Sequence, residues 1–198
     1  MSKLIEFSTK RLRLRQWRDE DREPFARLNT DRRVMEFYPN LLDRAASDAM
    51  VTRLQSLIAD RGWGLWAVEI EHTQEFIGYV GLHIPKPELP CYPCVEIGWR
   101  LAFDYWGKGY ASEAAQGALS IGFEMLDLDE IVSFTAVCNL RSRAVMERLN
   151  MHKAPETFLH PSLPQQHPLA EHCLYRLSRE TWAENVNSIA ITAGKSGI

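Results

Sequence analysis

The chain has 198 residues, of which 45% are hydrophobic and 25% charged, with 11 Gly and 10 Pro scattered without a repeat and a formal net charge of -3. This is the length of one domain and the composition of a globular protein, which excludes a disordered or collagen-like chain. The weakly acidic balance gives no electrostatic footprint for duplex nucleic acid, no apolar run approaches the ~20 residues that span a bilayer, and the polar, basic stretch Met1 to Arg15 lacks the apolar core of a secretory signal.

Arg11 to Trp17 alternates apolar and polar residues and reads as a strand with one buried face. Asp19 opens an acidic first turn, and Phe25 and Leu28 continue at helical spacing. Met35 to Pro39 is aromatic and irregular, a loop or short turn. Leu42 to Asp60 is a helix with Met50, Leu54, Leu57 and Ile58 on one face, stopped by Arg61-Gly62. Trp63 to Ile70 and Phe76 to Ile84 form a hairpin around the polar turn Glu71 to Gln74. Four prolines make residues 85 to 93 a loop, and Val95 to Leu101 is the next strand. After the turn at Gly107 to Gly109, Ala111 to Leu126 is a helix with a face of small residues that can lie close to a sheet. Ile131 to Cys138 is a strand, Leu140 to Asn150 a helix and Met151 to Phe158 a strand. His160 to Pro168 is a loop and Cys173 to Leu177 the last strand. The order implies one mixed α/β sheet covered by helices. A single domain over residues 1–183 and a frayed tail over 184–198 are expected.

The strongest local signal is Tyr105-Trp106-Gly107-Lys108-Gly109-Tyr110-Ala111-Ser112-Glu113, a glycine-rich turn that follows a strand and opens a helix. Helix N-termini carry unpaired N–H groups and a partial positive charge, so such a turn can cradle a phosphate. A P-loop does not fit, because Lys108 is followed by Gly109. The tail's Gly194-Lys195-Ser196 lacks the first P-loop glycine, Ile189 standing in its place. A dinucleotide fingerprint does not fit either, because Ser112 stands at the third glycine and no acid ends the next strand. From the glycines alone, a ligand-free tight turn is an equally good reading. One strand later, Asn139-Leu140-Arg141-Ser142 begins a helix. Asn139 reads as its N-cap, or as an amide facing a ligand along the sheet.

Val95 to Ala115, followed by Asn139 to Met151, resembles the GNAT superfamily of acyl-CoA-dependent N-acetyltransferases. The family's pyrophosphate motif, Gln/Arg-x-x-Gly-x-Gly/Ala, corresponds here to Trp106-Gly107-Lys108-Gly109-Tyr110-Ala111, with Trp106 in place of the usual polar first residue. The element order matches from Arg11 to Trp182. The opening Thr9 to Arg15, the strand Glu96-Ile97-Gly98-Trp99 and the segment Glu171 to Leu177 are similar to the RimJ/RimL-like branch, which acetylates ribosomal-protein N-termini.

The resemblance implies the GNAT fold: a mixed, mostly antiparallel central sheet, splayed at the acyl-CoA site and covered by helices on both faces. The strand ending at Leu101 should part from its neighbour near Asn139. The pantetheine arm is expected against the backbone around Trp99, Leu101 and Phe103, and the pyrophosphate on the N–H groups of Gly107, Lys108, Gly109, Tyr110, Ala111 and Ser112. The thioester carbonyl should meet a backbone N–H at Gly98 or Trp99, a small oxyanion site. Acetyl-CoA is then the cosubstrate, with no metal. The acceptor is an amine, with a protein N-terminus as one candidate, and a homodimer is compatible with the resemblance.

Attack on a thioester needs a neutral amine. An α-amine, with a reference pKa of about 7.7–8.0 against about 10.4 for Lys, asks less of a base. Glu96 is the candidate base, with a solvated or ion-paired acid as the competing reading. Where many GNATs carry a tyrosine that protonates the leaving thiolate, this chain has Met146, and Ser142 is the nearest proton carrier. Tyr110 and Tyr175 read as packing groups. The acceptor groove is expected from Met35 to Asn40, Pro85 to Cys94 and His160 to Pro168.

Cys91 and Cys94 form a C-x-x-C without a second half, and Cys138 and Cys173 are isolated, so no zinc site is expected. A cytoplasmic location, where disulfides are rare, fits these thiols and the absent export signal. Two rivals remain at this level: a non-catalytic acyl-CoA-binding or sensor module, and a small-molecule amine acetyltransferase. A nucleotide-binding enzyme is the weaker third.

Overall fold

The computed structural model describes residues 3–185. The tail sequence Gly194-Lys195-Ser196 lies outside them. Eight strands form one sheet: β1 (Phe7–Ser8), β2 (Leu12–Arg15), β3 (Leu65–Ile70), β4 (Phe76–His83), β5 (Glu96–Leu101), β6 (Glu130–Ala136), β7 (His152–Leu159) and β8 (Glu171–Ser178). Their order is β1-β2-β3-β4-β5-β6-β8-β7. Every pairing is antiparallel except β5 with β6, which is parallel.

The helices are α1 (Arg22–Thr30), α2 (Arg44–Arg61), α3 (Tyr110–Ser120) and α4 (Leu140–Arg148). Helix α2 is bounded as its sequence demands. The Asp43 side chain accepts from the Ala46 N–H, and Gly62 takes a left-handed conformation, φ 85°, after Arg61. The long helix expected over Ala111 to Leu126 is α-helical only to Ser120 and continues as a π-helical turn, Ile121–Met125. Gly122 sits in that turn where a Cβ would come within 2.5 Å of Ile131 Cδ1 and 3.1 Å of Leu82 Cδ1.

Helices cover both faces. Tyr79 of β4 packs against Phe25 of α1 at 6.1 Å between ring centroids, whereas Leu82, on the opposite face, meets the segment that continues α3. The main core, which includes Leu12, Leu14, Phe25, Trp66 and Ile97, lies between these layers.

The feature that positions the site is the junction of β5 and β6. Their ladder is a single paired position, Glu96 with Val132. The Val132 N–H donates to the Val95 carbonyl at 2.9 Å, and the Ser133 hydroxyl donates to the Ile97 carbonyl, also at 2.9 Å. Beyond Ile97 the strands part. Successive residues turn their backbone groups to opposite edges, so Val95, Ile97, Trp99 and Leu101 share the edge that faces β6. The ladder uses the first two, and the splay leaves the edge of Trp99 facing the gap.

Candidate active site

The glycine-rich turn between β5 and α3 is shaped by two left-handed glycines, Gly107 (φ 73°) and Gly109 (φ 80°), with Gly109 at the N-cap of α3. The first bond into the helix runs from the Glu113 N–H to the Gly109 carbonyl at 3.0 Å. The N–H groups of Tyr110, Ala111 and Ser112 therefore precede the helical ladder and are free to meet an anion. A Cβ at Gly107 would meet nothing within 4 Å, so the turn opens outward there.

The N-terminal segment clamps this turn from the side. Glu113 Oε1 accepts from the Thr9 hydroxyl at 2.7 Å and the Arg11 N–H at 2.8 Å, and Oε2 accepts from Arg11 Nε at 2.6 Å. Arg11 Nη1 also donates to the Lys108 carbonyl at 3.0 Å, and its guanidinium lies 4.5 Å from the Tyr110 ring centroid. Burial works to raise the Glu113 pKa, but the bonds from Thr9 and Arg11 outweigh it and hold the carboxyl below its usual value. Sequence reasoning noted Thr9 and Arg11 without assigning them this task, because the contact spans about a hundred residues.

A cleft of about 710 Å³ runs from this turn along β5 to the start of α4. Of the expected cofactor-binding residues, Trp99, Leu101, Gly107, Gly109, Tyr110, Ala111, Ser112 and Asn139 line it. Lys108 and Phe103 do not. The Lys108 ammonium sits over the Tyr105 ring at 5.4 Å, and the Phe103 ring is exposed beneath the Arg33 guanidinium at 3.9 Å. The Leu101 carbonyl already accepts from Trp106 Nε1 at 2.8 Å. Trp106, which departs from the usual motif, thus braces the end of β5. Arg141 of α4 lies 4.9 Å from the Trp106 ring centroid.

A second cavity, of about 320 Å³, lies deeper on the sheet. The two share Phe37, Tyr38, Trp99, Asn139 and Ser142, so they meet where β5 and β6 part. Asn139 is the N-cap that one of its two readings expected, and its amide group is bonded within the protein although it lines both cavities. Its Oδ1 accepts from the Ser142 N–H at 3.2 Å as the α4 N-cap, and its Nδ2 donates to Thr135 Oγ1 at 2.9 Å and Ser142 Oγ at 3.1 Å. Ser142 and Tyr38 are the hydroxyl side chains shared by both cavities. Tyr38, from the aromatic loop, was not singled out in the sequence because Met35 to Pro39 has no periodicity to orient it. Met146 is buried against the deeper cavity. Tyr175 lines neither cavity and donates to Glu147 Oε1 at 3.0 Å.

Glu96, 8% exposed, is the lone carboxylate on the wall of the deeper cavity, among the described residues. It faces His83 across the β4–β5 register, and His83 Nε2 lies 2.9 Å from its Oε2. The burial of Glu96 speaks against a solvated acid, and the contact with His83 fits the paired one. Burial works against protonation of His83, but the hydrogen bond and charge of Glu96 outweigh it and raise the imidazole pKa above 6.5. His83 escaped sequence reasoning because a lone His at a strand end carries no spacing signal.

Another wall carries His160 and His172, their rings tilted by 46° at 4.9 Å between centroids, with Phe134 at 6.1 Å from each. Burial lowers the pKa of both histidines, which favours their neutral form. The expected acceptor loops contribute unequally. Phe37, Tyr38 and Pro39 line the cavity from one side, and His160, Ser162 and Leu163 from the other. No residue of 85–94 lines it. Leu89 and Cys91 anchor that loop elsewhere, in a small apolar cluster with Val132 and Leu174. The Sγ atoms of Cys91 and Cys94 lie 3.3 Å apart as free thiols, and burial is the main cause that pushes the Cys94 thiol up to about 12. No group of three or more His, Cys, Asp or Glu suited to a metal occurs among the described residues.

Residues 11–152 match the acetyltransferase (GNAT) domain family. The chain belongs to the GNAT acetyltransferase family. Among the chains it is similar to is YnaD, an uncharacterized N-acetyltransferase of Bacillus subtilis, 26% identical over 90% of this chain and 99% of its own. YkkB of the same organism is 33% identical over 73% of this chain and 83% of its own. The FsC-acetyl coenzyme A-N(2)-transacetylase of Aspergillus fumigatus is 31% identical over 61% of this chain and 52% of its own. The GNAT fold recurs in a Bacillus anthracis acetyltransferase, with a TM-score of 0.75 at 24% identity over 89% and 99% of the two chains. It also recurs in Mycobacterium smegmatis RimJ in complex with CoA-disulfide, with a TM-score of 0.70 at 17% identity over 88% and 87%. As a GNAT enzyme the protein is an acetyltransferase, and the family draws its acetyl group from acetyl-CoA. No helix of the described residues is long and apolar enough to cross a membrane.

Proposed function

We propose that the protein, a single domain over residues 1–183, transfers the acetyl group of acetyl-CoA directly to an α-amine, with Glu96 as general base. The observation that carries this reading is the meeting of the two cavities at the Trp99 edge, with the glycine-rich turn at one end and Glu96 at the other. The cleft fits the cosubstrate. It offers three helix N–H groups for a pyrophosphate and a splayed strand edge for an amide-bearing arm. Acetyl-CoA supplies the activated thioester, and the residues of this chain do the rest.

Glu96 takes the proton from the incoming ammonium, directly or through water, and His83 connects it toward solvent. The Trp99 N–H, on the edge that faces the gap, is the donor for developing charge on the thioester oxygen. Strand alternation favours it over the Gly98 N–H, which points to β4. Ser142 and Tyr38 are the groups within reach of a departing thiolate.

The α-amine is favoured because its pKa lies nearer neutrality than that of Lys. A protein N-terminus is one such acceptor, consistent with the likeness to RimJ and with an aromatic cavity wall. Thiol release from acetyl-CoA with a panel of N-terminal peptides, amino acids and polyamines, together with mass spectrometry of the products, tests the reading. Acetylated α-amines are expected. Saturable CoA binding without acetylation of any amine in the panel would instead identify an acyl-CoA sensor.

A further inference from the structure

Two arginines are buried among the described residues, and they are treated differently. Arg15, 3% exposed, is held between two carboxylates, Asp21 at 2.7 Å and Glu69 at 2.5 Å. Arg100, 7% exposed, has no carboxylate against it among the described residues. Its Nη1 donates to Asn29 Oδ1 at 2.6 Å, and its guanidinium lies 3.9 Å from the centroid of the Tyr38 ring. Its Nε is buried without any hydrogen-bond partner. A buried cation without a counter-ion is costly, and a buried donor without an acceptor adds to that cost. Arg100 also lines the large cleft beside Tyr38 and Trp99, so the missing anion has a route in.

The position of Arg100 on the sheet gives the anion its identity. Glu96, Gly98 and Arg100 alternate along one face of β5, paired across to His83, Gly81 and Tyr79 of β4. Between the acid and the base, a Cβ at Gly98 would meet nothing within 4 Å. The face therefore presents an anion, a bare stretch of backbone and a cation with no carboxylate partner in sequence, over roughly 13 Å of strand, the cation being held by Asn29, Tyr38 and the Tyr79 ring. An amine attracted to Glu96 and a carboxylate attracted to Arg100 complement this arrangement.

We infer that Arg100 forms a carboxylate-binding subsite, and that the acceptor is an α-amine compound carrying a carboxylate near its amine. With Nη1 committed to Asn29 and Nε buried, the carboxylate is met by the part of the guanidinium that faces the cleft. This inference rests on the acetyltransferase reading above. The carboxylate has two sources, the α-carboxylate of a free amino acid or the acidic side chain of the second residue of a peptide.

The test compares acceptors that differ in charge alone. Phenylalanine is paired with phenylalaninamide, and phenylalanyl-aspartyl amide with phenylalanyl-asparaginyl amide, in the thiol-release assay with the full chain and with Arg100→Gln. Taking the preference for the carboxylate member as a ratio between the two proteins cancels the basicity of each amine. The parent should lose on the order of 10- to 100-fold of that preference on substitution, through the acceptor KM rather than kcat. The pair that responds identifies the source of the carboxylate. Arg100→Lys, which keeps the charge but not the guanidinium, should retain part of the preference and guards against misfolding of the glutamine variant.

An unchanged preference in Arg100→Gln with activity intact would overturn the subsite and leave the acetyltransferase reading standing. A rise in the acetyl-CoA KM with the acceptor ratio unmoved would also overturn it, assigning Arg100 to the cosubstrate. If no acceptor is acetylated, calorimetry with phenylalanine and phenylalaninamide in the presence of CoA decides the subsite alone. Equal affinity for the two ligands would overturn it.

Discussion

Glu96 and His83 illustrate how one residue can satisfy a structural and a chemical reading at once. The carboxylate is buried, but its contact with His83 at 2.9 Å offsets the cost of burying it and keeps it connected to a half-buried imidazole. The raised pKa of His83 makes this contact a source of pH-dependent stability. A group whose pKa is higher in the folded than in the unfolded state stabilises fully below the unfolded value, here about 6.5, and loses that contribution as pH rises through the folded value. Denaturant unfolding of the parent and His83→Gln should therefore differ most near pH 6 and converge in the alkaline range. A difference that grows with pH would show that His83 is held neutral. Glu96 was legible in the sequence from its place before Gly98-Trp99, whereas His83 and Arg100 were not. Both acquire meaning from the cross-strand register, which pairs His83 with Glu96 and Tyr79 with Arg100 and which no local pattern encodes.

The glycine-rich turn is the element most fully written in the sequence. Gly107 and Gly109 stand where positive φ is required, and a helix of small residues follows. A Cβ at Gly109 would meet only Arg11 Nη2, at 3.4 Å, so Gly109→Val should fold at a cost of roughly 1–3 kcal/mol in backbone strain. It should nevertheless lose CoA binding by calorimetry, because the cradle depends on that backbone conformation. Parental affinity would place the pyrophosphate elsewhere. The clamp on the same turn is a separate prediction. Glu113→Gln removes the charge that fixes Arg11 and, through it, the Lys108 carbonyl. CoA should bind several-fold more weakly to this variant, with the acceptor KM little changed. The α3 helix was read as regular to Leu126. The π-helical turn at Ile121–Met125 was not legible, because it answers the close approach of Gly122 to Leu82 and Ile131, which are distant in sequence.

At the scale of the whole molecule, periodicity recovered nearly every strand and helix, including the β3–β4 hairpin and the limits of α2. It did not yield the strand order. That β8 lies between β6 and β7, and that β5 runs parallel to β6, are long-range choices. The splay came from the family resemblance, and the two-cavity layout from the structure. The sheet is held to its shape by close backbone approaches as well as by its core. At Gly78, φ 137°, a Cβ would lie 2.1 Å from the Arg100 carbonyl oxygen, so Gly78→Ala must push β4 from β5. A loss of roughly 3 kcal/mol or more in denaturant unfolding is expected.

The account turns on proton removal by Glu96 at the point where the cavities meet, and the pH profile of Glu96→Gln tests this most directly. The variant keeps the size and hydrogen-bonding capacity of the side chain but cannot accept the proton. With acetyl-CoA and an acetylated α-amine, kcat and kcat/KM should fall together by about 10²–10⁴-fold near neutral pH. The deficit should narrow as pH rises and more of the amine is neutral, while acetyl-CoA affinity stays near the parental value. A variant that matches the parent rate across the pH range would contradict the account and remove Glu96 from the mechanism.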